Sequence, residues 1–376
     1  MRPILGIVRE KNTGERRVAL VPESVKKLVK QGFSVLFERG CGAGSCVSDA
    51  EYEAAGAVPH GEDALWAAAD LVLKVGAPRF DEVRRARAGQ TIVALFHATT
   101  NEALVRDLAA SRVSLVALDA VPRTTLAQSM DVLSSQATLV GYRAVLLAAE
   151  ATPKIFPMMM TAAGTIPPAK VLVVGAGVAG LQAIATARRL GATVEAFDVR
   201  RAAKEQVESL GARFVEVDTE DAEAAGGYAR ALGEADRQKQ AAVLLQHVAR
   251  ADVCITTALV PGRAAPKIVT EDMVAAMRPG SVIVDAAAEM GGNCVLTRPG
   301  QRITSGGVTI IGDVDLPSSL AVHASQMFSR NVTKLVEHLT DDSGALALGR
   351  DDEITRAVVI AHDGKLEAGL WTKEAR

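Results

Sequence analysis

Three glycines at the end of an apolar run are the clearest chemical feature of the sequence. The stretch VLVVGAGVAG places Gly175, Gly177 and Gly180 at the GxGxxG positions, where an apolar run meets a helix-like segment. In a dinucleotide site the first glycine permits a tight turn, the second lets the backbone approach the pyrophosphate, and the third lets helix and strand pack closely. Backbone N–H groups that open the helix then face the phosphates. We therefore predict a dinucleotide site on this turn.

An acidic residue follows the next apolar run. Asp198 ends the run TVEAF, 18 residues beyond Gly180, close to the spacing of about 20 residues that is typical of such sites. A carboxylate there accepts hydrogen bonds from the ribose hydroxyls and disfavours a 2′-phosphate. Arg200 and Arg201 argue in the opposite direction, because an arginine accommodates a 2′-phosphate. On balance we predict NAD(H) as the cofactor, in preference to NADP(H).

An ordinary dehydrogenase also needs a general acid or base beside the nicotinamide. The candidates in the N-terminal third of the chain are Arg17 in ERRVAL, Lys74 in LVLKVGAP and His97 in LFHATT. Lys74 and His97 stand at or just past the ends of apolar runs, where open α/β sheets place ligand groups. A substrate pocket and separate structural roles are both open for these three residues.

Residues 122–136, PRTTLAQSMDVLSSQ, form a second candidate segment. It concentrates hydrogen-bonding side chains, namely Arg123, Thr124, Thr125, Gln128, Ser129, Asp131, Ser134, Ser135 and Gln136. Such groups are costly to bury without partners. A capped helix start would account for some of them. A site that orients a flat polar ring would account for more.

The elements that must position these residues alternate between short apolar runs and helix-like stretches. This alternation predicts an α/β fold, and the nearly continuous apolar runs indicate parallel strands buried on both faces. We predict two Rossmann-like domains with a cleft between them: residues 1–133 with 320–376, and residues 134–319. A helix over about 130–151 would connect the domains, and one over about 318–339 would return to the first. The tail predicts a hairpin that turns at Asp363 and Gly364.

The composition excludes several classes of protein. The chain has 376 residues, of which 49% are hydrophobic and 23% charged, with a net charge of -2. These values are typical of a two-domain globular protein and give no indication of a nucleic-acid partner. No run predicts a convincing membrane span, since the closest, residues 171–187, fits strand-turn-helix better. The four cysteines form no CxxC pair, so we predict buried, reduced thiols and no metal site.

Residues 218–240 differ from the rest of the second domain. The segment is rich in alanine and charge and contains Gly226, Gly227 and Tyr228. A solvated helix with a flexible join and a mobile flap over the cofactor are both consistent with this composition.

The whole sequence resembles the NAD(H)-binding component of proton-translocating transhydrogenases. The motifs that carry the resemblance include RRVAL, RTTLAQSMDVLSSQ, GYRAV, FPMMMTAAGT, GAGVAGLQAIATARRLGA, ITTALVPG and AEMGGNC. The resemblance is to the short, separately encoded form of that component, whose fold is shared with alanine dehydrogenase. It implies the exchange NADH + NADP⁺ ⇌ NAD⁺ + NADPH, coupled to proton translocation.

The same resemblance implies partners and a location. It suggests a homodimer that docks on a membrane-spanning subunit and on a subunit that binds NADP(H), at the cytoplasmic face of the inner membrane. Hydride would pass directly between two nicotinamides, so no side chain would have to exchange a proton. The methionines of FPMMMTAAGT are then expected to pack in a core or cleft.

Individual roles also follow from the resemblance. The loop that holds the nicotinamide and approaches the partner would contain Arg123, Thr124, Thr125, Gln128, Asp131 and Ser134. The residues around the pyrophosphate and the adenosine ribose would be Ala176, Gly177, Val178, Asp198, Val199 and Arg200. Gly227 and Gln240 would flank a mobile loop with Tyr228 at its tip, and Leu259 would line the adenine or ribose side. We expect Arg123, Gln128, Asp131, Ser134 and Tyr228 to serve the transfer step itself.

Two alternatives to a transhydrogenase component remain open. A self-contained amino-acid dehydrogenase would use the alanine dehydrogenase-like positions Arg17, Lys74 and His97. The aspartate that this function requires is replaced by Glu289, which disfavours amino-acid oxidation. A non-catalytic NAD-binding or sensing protein is the other alternative.

Overall fold

The computed structural model describes residues 2–217, 234–260 and 263–367. The chain forms two compact units, the first from Met1–Gln136 with Ser318–Arg376 and the second from Ala137–Pro317. These bounds differ by two or three residues from the predicted domain boundaries at 133/134 and 319/320.

The first unit is a parallel sheet with alternating helices. Its elements are β1 (Ile4–Ile7), α1 (Pro22–Lys30), β2 (Ser34–Glu38), α2 (Asp49–Ala54), β3 (Val58–His60), α3 (Glu62–Ala68), β4 (Leu71–Gly76), α4 (Phe80–Val83), β5 (Thr91–Leu95), α5 (Glu102–Ala110) and β6 (Ser114–Ala117). A 3-10 turn, Gln128–Met130, precedes the long helix α6 (Val132–Ala151), which continues into the second unit.

The second unit contains a hairpin and a second α/β series. Its elements are β7 (Met159–Thr161), β8 (Gly164–Ile166), β9 (Lys170–Val174), α7 (Val178–Arg189), β10 (Thr193–Phe197), α8 (Ala203–Ser209), β11 (Arg213–Phe214), α9 (Glu234–Arg250), β12 (Val253–Thr256), α10 (Glu271–Ala276), β13 (Val282–Asp285), β14 (Arg302–Ser305) and β15 (Val308–Ile311). The chain then returns to the first unit with α11 (Ala321–His338), α12 (Glu353–Val358), β16 (Val359–His362) and β17 (Lys365–Leu366).

The two large sheets confirm the predicted α/β class. One has the order β17-β16-β6-β5-β4-β1-β2-β3 and the other β11-β10-β9-β12-β13-β15-β14. Their strands pair in parallel except at one edge of each sheet, where β16, β17 and β14 are antiparallel.

Burial on both faces explains why the strands read as continuous apolar runs. In β4, Leu71 and Leu73 join one apolar cluster, whereas Val72 joins a cluster on the other face. Strand β9 divides its residues in the same way, with Val173 in one cluster and Leu172 in another. Helices cover both faces of a parallel sheet, so strand positions that alternate in direction are equally apolar.

The helix α6 begins and ends as its sequence indicates. Asp131 precedes its first turn and Pro153 follows its last residue, Ala151. Among the described helices, α6 alone is long and apolar enough to cross a membrane, and 39% of its most apolar window is buried inside the protein. A buried core helix passes the same test, so this is weak support for a span.

The predicted hairpin in the tail is confirmed. β16 and β17 pair antiparallel, with His362 opposite Lys365. Asp363 and Gly364 between them have φ angles of +47° and +79°. Positive φ at both central residues is the geometry of a type I′ turn, for which Asp-Gly is a favoured sequence.

Three other predictions are wrong. The methionines of FPMMMTAAGT do not pack in a core or cleft, because Met158, Met159 and Met160 are 59%, 42% and 75% exposed. They belong to or adjoin the hairpin β7–β8, a sheet of two strands whose residues are all exposed. Cys46 is exposed, unlike the other three cysteines. The run ARFVEV forms only the two-residue strand β11.

Candidate functional site

The glycine turn joins β9 to α7, and each of its glycines has a different reason to lack a side chain. Gly175 has φ +95°, and a Cβ on it would lie 2.9 Å from Oγ1 of Thr257. A Cβ on Gly180 would lie 1.8 Å from the carbonyl oxygen of Gly175. A Cβ on Gly177 would meet no protein atom within 4 Å. The first and third glycines are therefore required by packing, whereas the second leaves open space at a helix N-terminus, as a pyrophosphate requires.

The strand order places this turn at the point where ligands bind in open α/β sheets. From β9 the chain proceeds to β10 and β11 on one side, and then to β12 and β13 on the other. Chain direction across the sheet thus reverses between β9 and β12, whose last residues Val174 and Thr256 are paired. Such a topological switch point opens a crevice beyond the carboxyl ends of the two strands.

Asp198 is held by the turn and by its own neighbour. Its Oδ2 accepts a hydrogen bond from the N–H of Ala176 at 2.7 Å, and its Oδ1 accepts one from the N–H of Arg200 at 2.9 Å. The Arg200 guanidinium donates through Nε to Oδ1 and through Nη2 to Oδ2, both at 2.9 Å. Both side chains are largely buried. The carboxylate therefore balances the charge of Arg200 and ties the glycine turn to β10.

The remaining predicted residues of the second unit differ in exposure. Val199 packs against an apolar cluster, Gln240 on α9 is buried, and Leu259 is 45% exposed. Leu259 follows Ala258, whose N atom would lie 3.0 Å from a Cβ on Gly175. Gly227 and Tyr228 lie outside the described residues.

The first unit presents the predicted nicotinamide loop as an anchored segment with exposed side chains. Ala127 and Met130 are buried, and Nδ2 of Asn331 on α11 donates to the carbonyl oxygen of Ser129 at 2.8 Å. Arg123, Thr125 and Gln128 are exposed, and Thr124 is half-buried. The backbone of the loop is thus fixed from below, while the polar side chains face outward.

Asp131 and Ser134 are paired with each other at the start of α6. Oδ1 of Asp131 accepts from the N–H of Ser134 at 2.9 Å, and its Oδ2 accepts from the Ser134 hydroxyl at 2.6 Å. This is the bonding of a helix N-cap. A direct role at the transfer step remains a prediction for both residues, and their observed contacts fix the end of the loop.

Two of the alanine dehydrogenase-like positions hold internal carboxylates. Arg17 donates to Glu15, with 2.6 Å between Nη2 and Oε2, and its Nη1 donates to Oε1 of Gln136 at 3.0 Å. Nζ of Lys74 lies 2.9 Å from Oε1 of Glu82 and 3.4 Å from Oε2 of Glu10, and all three side chains are nearly inaccessible.

The electrostatics of the lysine cluster are set by burial and by pairing. Burial opposes the charge on Lys74, but the carboxylates of Glu10 and Glu82 outweigh it and raise the pKa of the lysine. Burial also raises the pKa of Glu10, against the effect of Lys74. The lysine therefore stays protonated, which makes it a fixed cation rather than a general base.

His97 and Glu289 have other surroundings. His97 is exposed, with a φ of +45°, and its N–H donates to Oδ2 of Asp119 at 3.0 Å. Glu289, on the second unit, is exposed and accepts a hydrogen bond from the N–H of Asp315 at 2.6 Å. Within the described residues, no group of three or more His, Cys, Asp or Glu side chains is placed to hold a metal ion.

Comparison with known proteins decides between a dehydrogenase and a transhydrogenase. The family described as "Alanine dehydrogenase/PNT, N-terminal domain" matches residues 6–140, and "Alanine dehydrogenase/PNT, C-terminal domain" matches residues 144–368. The chain belongs to the alanine dehydrogenase/PNT family.

Within this family the chain is more similar to transhydrogenases. It is 47% identical to the separate N-terminal portion of NAD(P) transhydrogenase subunit alpha of Rhodospirillum rubrum, over 96% of this chain and 97% of that protein. The crystal structure of transhydrogenase from Sinorhizobium meliloti matches with a TM-score of 0.89 and 45% identity, over 96% of this chain and 99% of that one. Alanine dehydrogenase of Halomonas elongata is 31% identical, over 96% and 94% of the two chains. The identification as the alpha component of NAD(P) transhydrogenase is confirmed, and NAD(H) is the cofactor expected for this alanine dehydrogenase/PNT domain pair.

Two residues at the turn were not found from the sequence. Thr257 donates from Oγ1 to the carbonyl oxygen of Gly175 at 2.9 Å. Asn293 holds the next residue, Ala258, through its side-chain amide. Neither forms a recognisable spacing with the glycines, because both approach the turn through tertiary structure.

The contrast between Gly177 and Gly180 gives a first prediction. Gly177→Ala should leave the free energy of unfolding nearly unchanged, because its φ of −76° and the open space suit a methyl group. It should nevertheless weaken NADH binding about tenfold or more, since the methyl group occupies the space for the pyrophosphate. Gly180→Ala should instead lower the free energy of unfolding by about 1–3 kcal/mol or more, through overpacking.

NADH fluorescence titration and thermal unfolding of both variants would measure these effects. Wild-type NADH affinity in a folded Gly177→Ala protein would show that the turn does not hold the pyrophosphate.

Proposed function

We propose that the second unit binds NAD(H) at its glycine turn, and that the bound nucleotide exchanges hydride directly with NADP(H) held by a partner subunit. The reaction is NADH + NADP⁺ ⇌ NAD⁺ + NADPH, coupled to proton translocation through a membrane-spanning subunit. The observation that carries the proposal is the turn itself: Gly177 leaves space for a phosphate at the switch point, in a chain related along nearly its full length to an NAD(P) transhydrogenase alpha component.

The residues of the second unit would bind and orient the nucleotide. Backbone N–H groups of Ala176, Gly177 and Val178 would face the pyrophosphate, supported by the N-terminal end of the α7 dipole. Asp198, with Val199 and Arg200, would surround the adenosine ribose. Gln240 and Leu259 would complete the wall, and we retain Gly227 and Tyr228 as parts of a loop over the nucleotide.

The residues of the first unit would position the reacting end. The nicotinamide supplies the chemistry by giving or accepting a hydride at C4. Gln128 can donate and accept at once, so it can hold a neutral polar group in register without proton transfer. Arg123, Thr124 and Thr125 would share this task. Asp131 and Ser134 would keep the loop in place through the cap of α6.

The pairing of Asp198 with Arg200 leads to a prediction about nucleotide choice. The wild-type chain should bind NADH well and NADPH poorly, because the arginine that could receive a 2′-phosphate is bonded to Asp198. Asp198→Ala should weaken NADH binding and shift the NADPH-to-NADH affinity ratio by about tenfold or more towards NADPH, as the guanidinium is released.

Fluorescence titrations with both nucleotides would measure the ratio. The double variant Asp198→Ala/Arg200→Met is the control, since it lacks the released cation and should lose the gain for NADPH. Equal affinity of the wild-type chain for the two nucleotides would sink the assignment to NAD(H).

A further prediction separates binding from transfer. Gln128→Ala should leave NADH affinity nearly intact, because the main contacts lie at the pyrophosphate and adenosine. Hydride transfer should fall about tenfold or more, equivalent to about 1.4 kcal/mol, because direct transfer needs the reacting atoms roughly 3–3.5 Å apart and aligned.

Stopped-flow transhydrogenation with the NADP(H)-binding partner, beside an NADH titration, would test this. Gln206→Ala, which truncates an exposed glutamine on α8, is the matched control. A wild-type transfer rate for Gln128→Ala would remove Gln128 from the site, and a parallel loss of NADH affinity would make it a binding residue.

The assembly around the chain is also included in the proposal. As an alpha component, the chain works in a multi-subunit enzyme. We propose that it forms a homodimer and attaches peripherally to the cytoplasmic face of the inner membrane through its partners. The hairpin β7–β8 supports the dimer: a two-stranded sheet is marginally stable alone, and this one exposes several large apolar side chains.

The dimer proposal predicts that Met160→Asp, at a side chain that is 75% exposed, shifts the chain from dimer to monomer. A charge that becomes buried without a partner is strongly unfavourable. Sedimentation velocity at micromolar concentration would measure the shift. Val58→Asp, on the first unit and 52% exposed, should remain a dimer, and an unchanged dimer for Met160→Asp would exclude this hairpin from the interface.

A further inference from the structure

Asn293 bridges backbone segments that are far apart in sequence. Its side chain is fully buried. Oδ1 accepts from the N–H of Ala258 at 3.0 Å, and Nδ2 donates to the carbonyl oxygens of Ala258 at 2.8 Å and of Pro266 at 2.9 Å. The amide thus engages both polar groups of Ala258, as a residue on a neighbouring strand would, and both its N–H groups are used.

Ala258 contributes to the packing of the glycine turn. Its N and Cα atoms would lie 3.0 and 3.2 Å from a Cβ on Gly175, and Thr257 before it bonds to the carbonyl oxygen of Gly175. The exposed side chain of Leu259 follows directly. This segment leaves the carboxyl end of β12, so it forms the β12 side of the switch-point crevice.

The turn that carries Asn293 is itself fixed to the ends of β12 and β13. Gly292 has φ +82°, and the N–H of Cys294 donates to Oδ2 of Asp285 at 2.9 Å. Oδ1 of the same carboxylate accepts from the Thr256 hydroxyl at 2.9 Å. Asn293 is therefore anchored to the strands, and its side chain transmits that position to Ala258.

We propose that Asn293 is a positioning residue for NAD(H): it holds the Ala258 peptide against the glycine turn and so sets the β12 wall of the nucleotide site. It does not touch the reacting atoms. This inference rests on the proposed function, because it assumes that the crevice holds NAD(H). An amide is required at this position because the carbonyl oxygens of Ala258 and Pro266 need donors and the N–H of Ala258 needs an acceptor.

The test is Asn293→Ala in the full chain, with Thr270→Ala as a control. Thr270 caps α10 in the same unit through a hydrogen bond to the N–H of Met273 at 3.3 Å, and it does not contact Ala258. Both substitutions should lower the unfolding temperature. Only Asn293→Ala should raise the dissociation constant for NADH, by about tenfold or more, which corresponds to about 1.4 kcal/mol.

Transhydrogenation with the NADP(H)-binding partner supplies a second readout. Asn293→Ala should raise the KM for NADH while the rate at saturating NADH stays near the wild-type value, whereas a purely structural defect reduces the amount of active enzyme without changing KM. Wild-type KM and dissociation constant in a destabilised Asn293→Ala protein would overturn the inference. Asn293→Ser, whose hydroxyl keeps one donor, is judged by the same criteria if the alanine variant does not fold. Failure of the wild-type chain to bind NADH would instead contradict the proposed function.

Discussion

The close approach of the backbone at Gly175 and Gly180 is the constraint on which the nucleotide site depends. The end of β9, the first turn of α7 and the segment after β12 meet where a single methyl group on either glycine would overlap protein atoms. Because no side chain fits there, the turn is held by hydrogen bonds from outside it. Thr257 donates to Gly175, and Asp198 accepts from Ala176. Such a turn keeps its N–H groups directed towards a ligand without reorganisation, which favours binding of a phosphate.

Local features of this arrangement could be predicted from the sequence. The glycine spacing, the acid at Asp198 and the Asp363-Gly364 turn depend on residues that are close along the chain, where steric rules relate sequence directly to backbone geometry. The exposed methionines could not be predicted, because an apolar side chain does not record whether another layer covers it. Asn293 was missed for a related reason: it lies 35 positions from Ala258, and only the folded sheet brings them together.

The charged residues of the first unit show why sequence position alone did not define a catalytic group. Arg17 and Lys74 stand at positions that suit a substrate site, yet in the structure each is bonded to internal carboxylates. A buried ion pair is costly to break because removal of one partner leaves an uncompensated charge. Arg17 also bonds to Gln136 in the first turns of α6. Its observed contacts therefore support the segment that follows the Gln128 loop.

A reaction between two nucleotides changes what the protein must provide. When hydride passes from one nicotinamide to another, no proton needs to be stored on a side chain, and rate depends on distance and alignment. Amides and hydroxyls on a fixed backbone suit that task better than titratable groups, because their hydrogen bonding does not change with pH. The loop around Gln128 has this character: buried anchors at Ala127 and Met130, an external hydrogen bond from Asn331, and uncharged polar groups facing outward. In the proposed reaction, rigidity at both ends of the nucleotide replaces the general acid and base of an ordinary dehydrogenase.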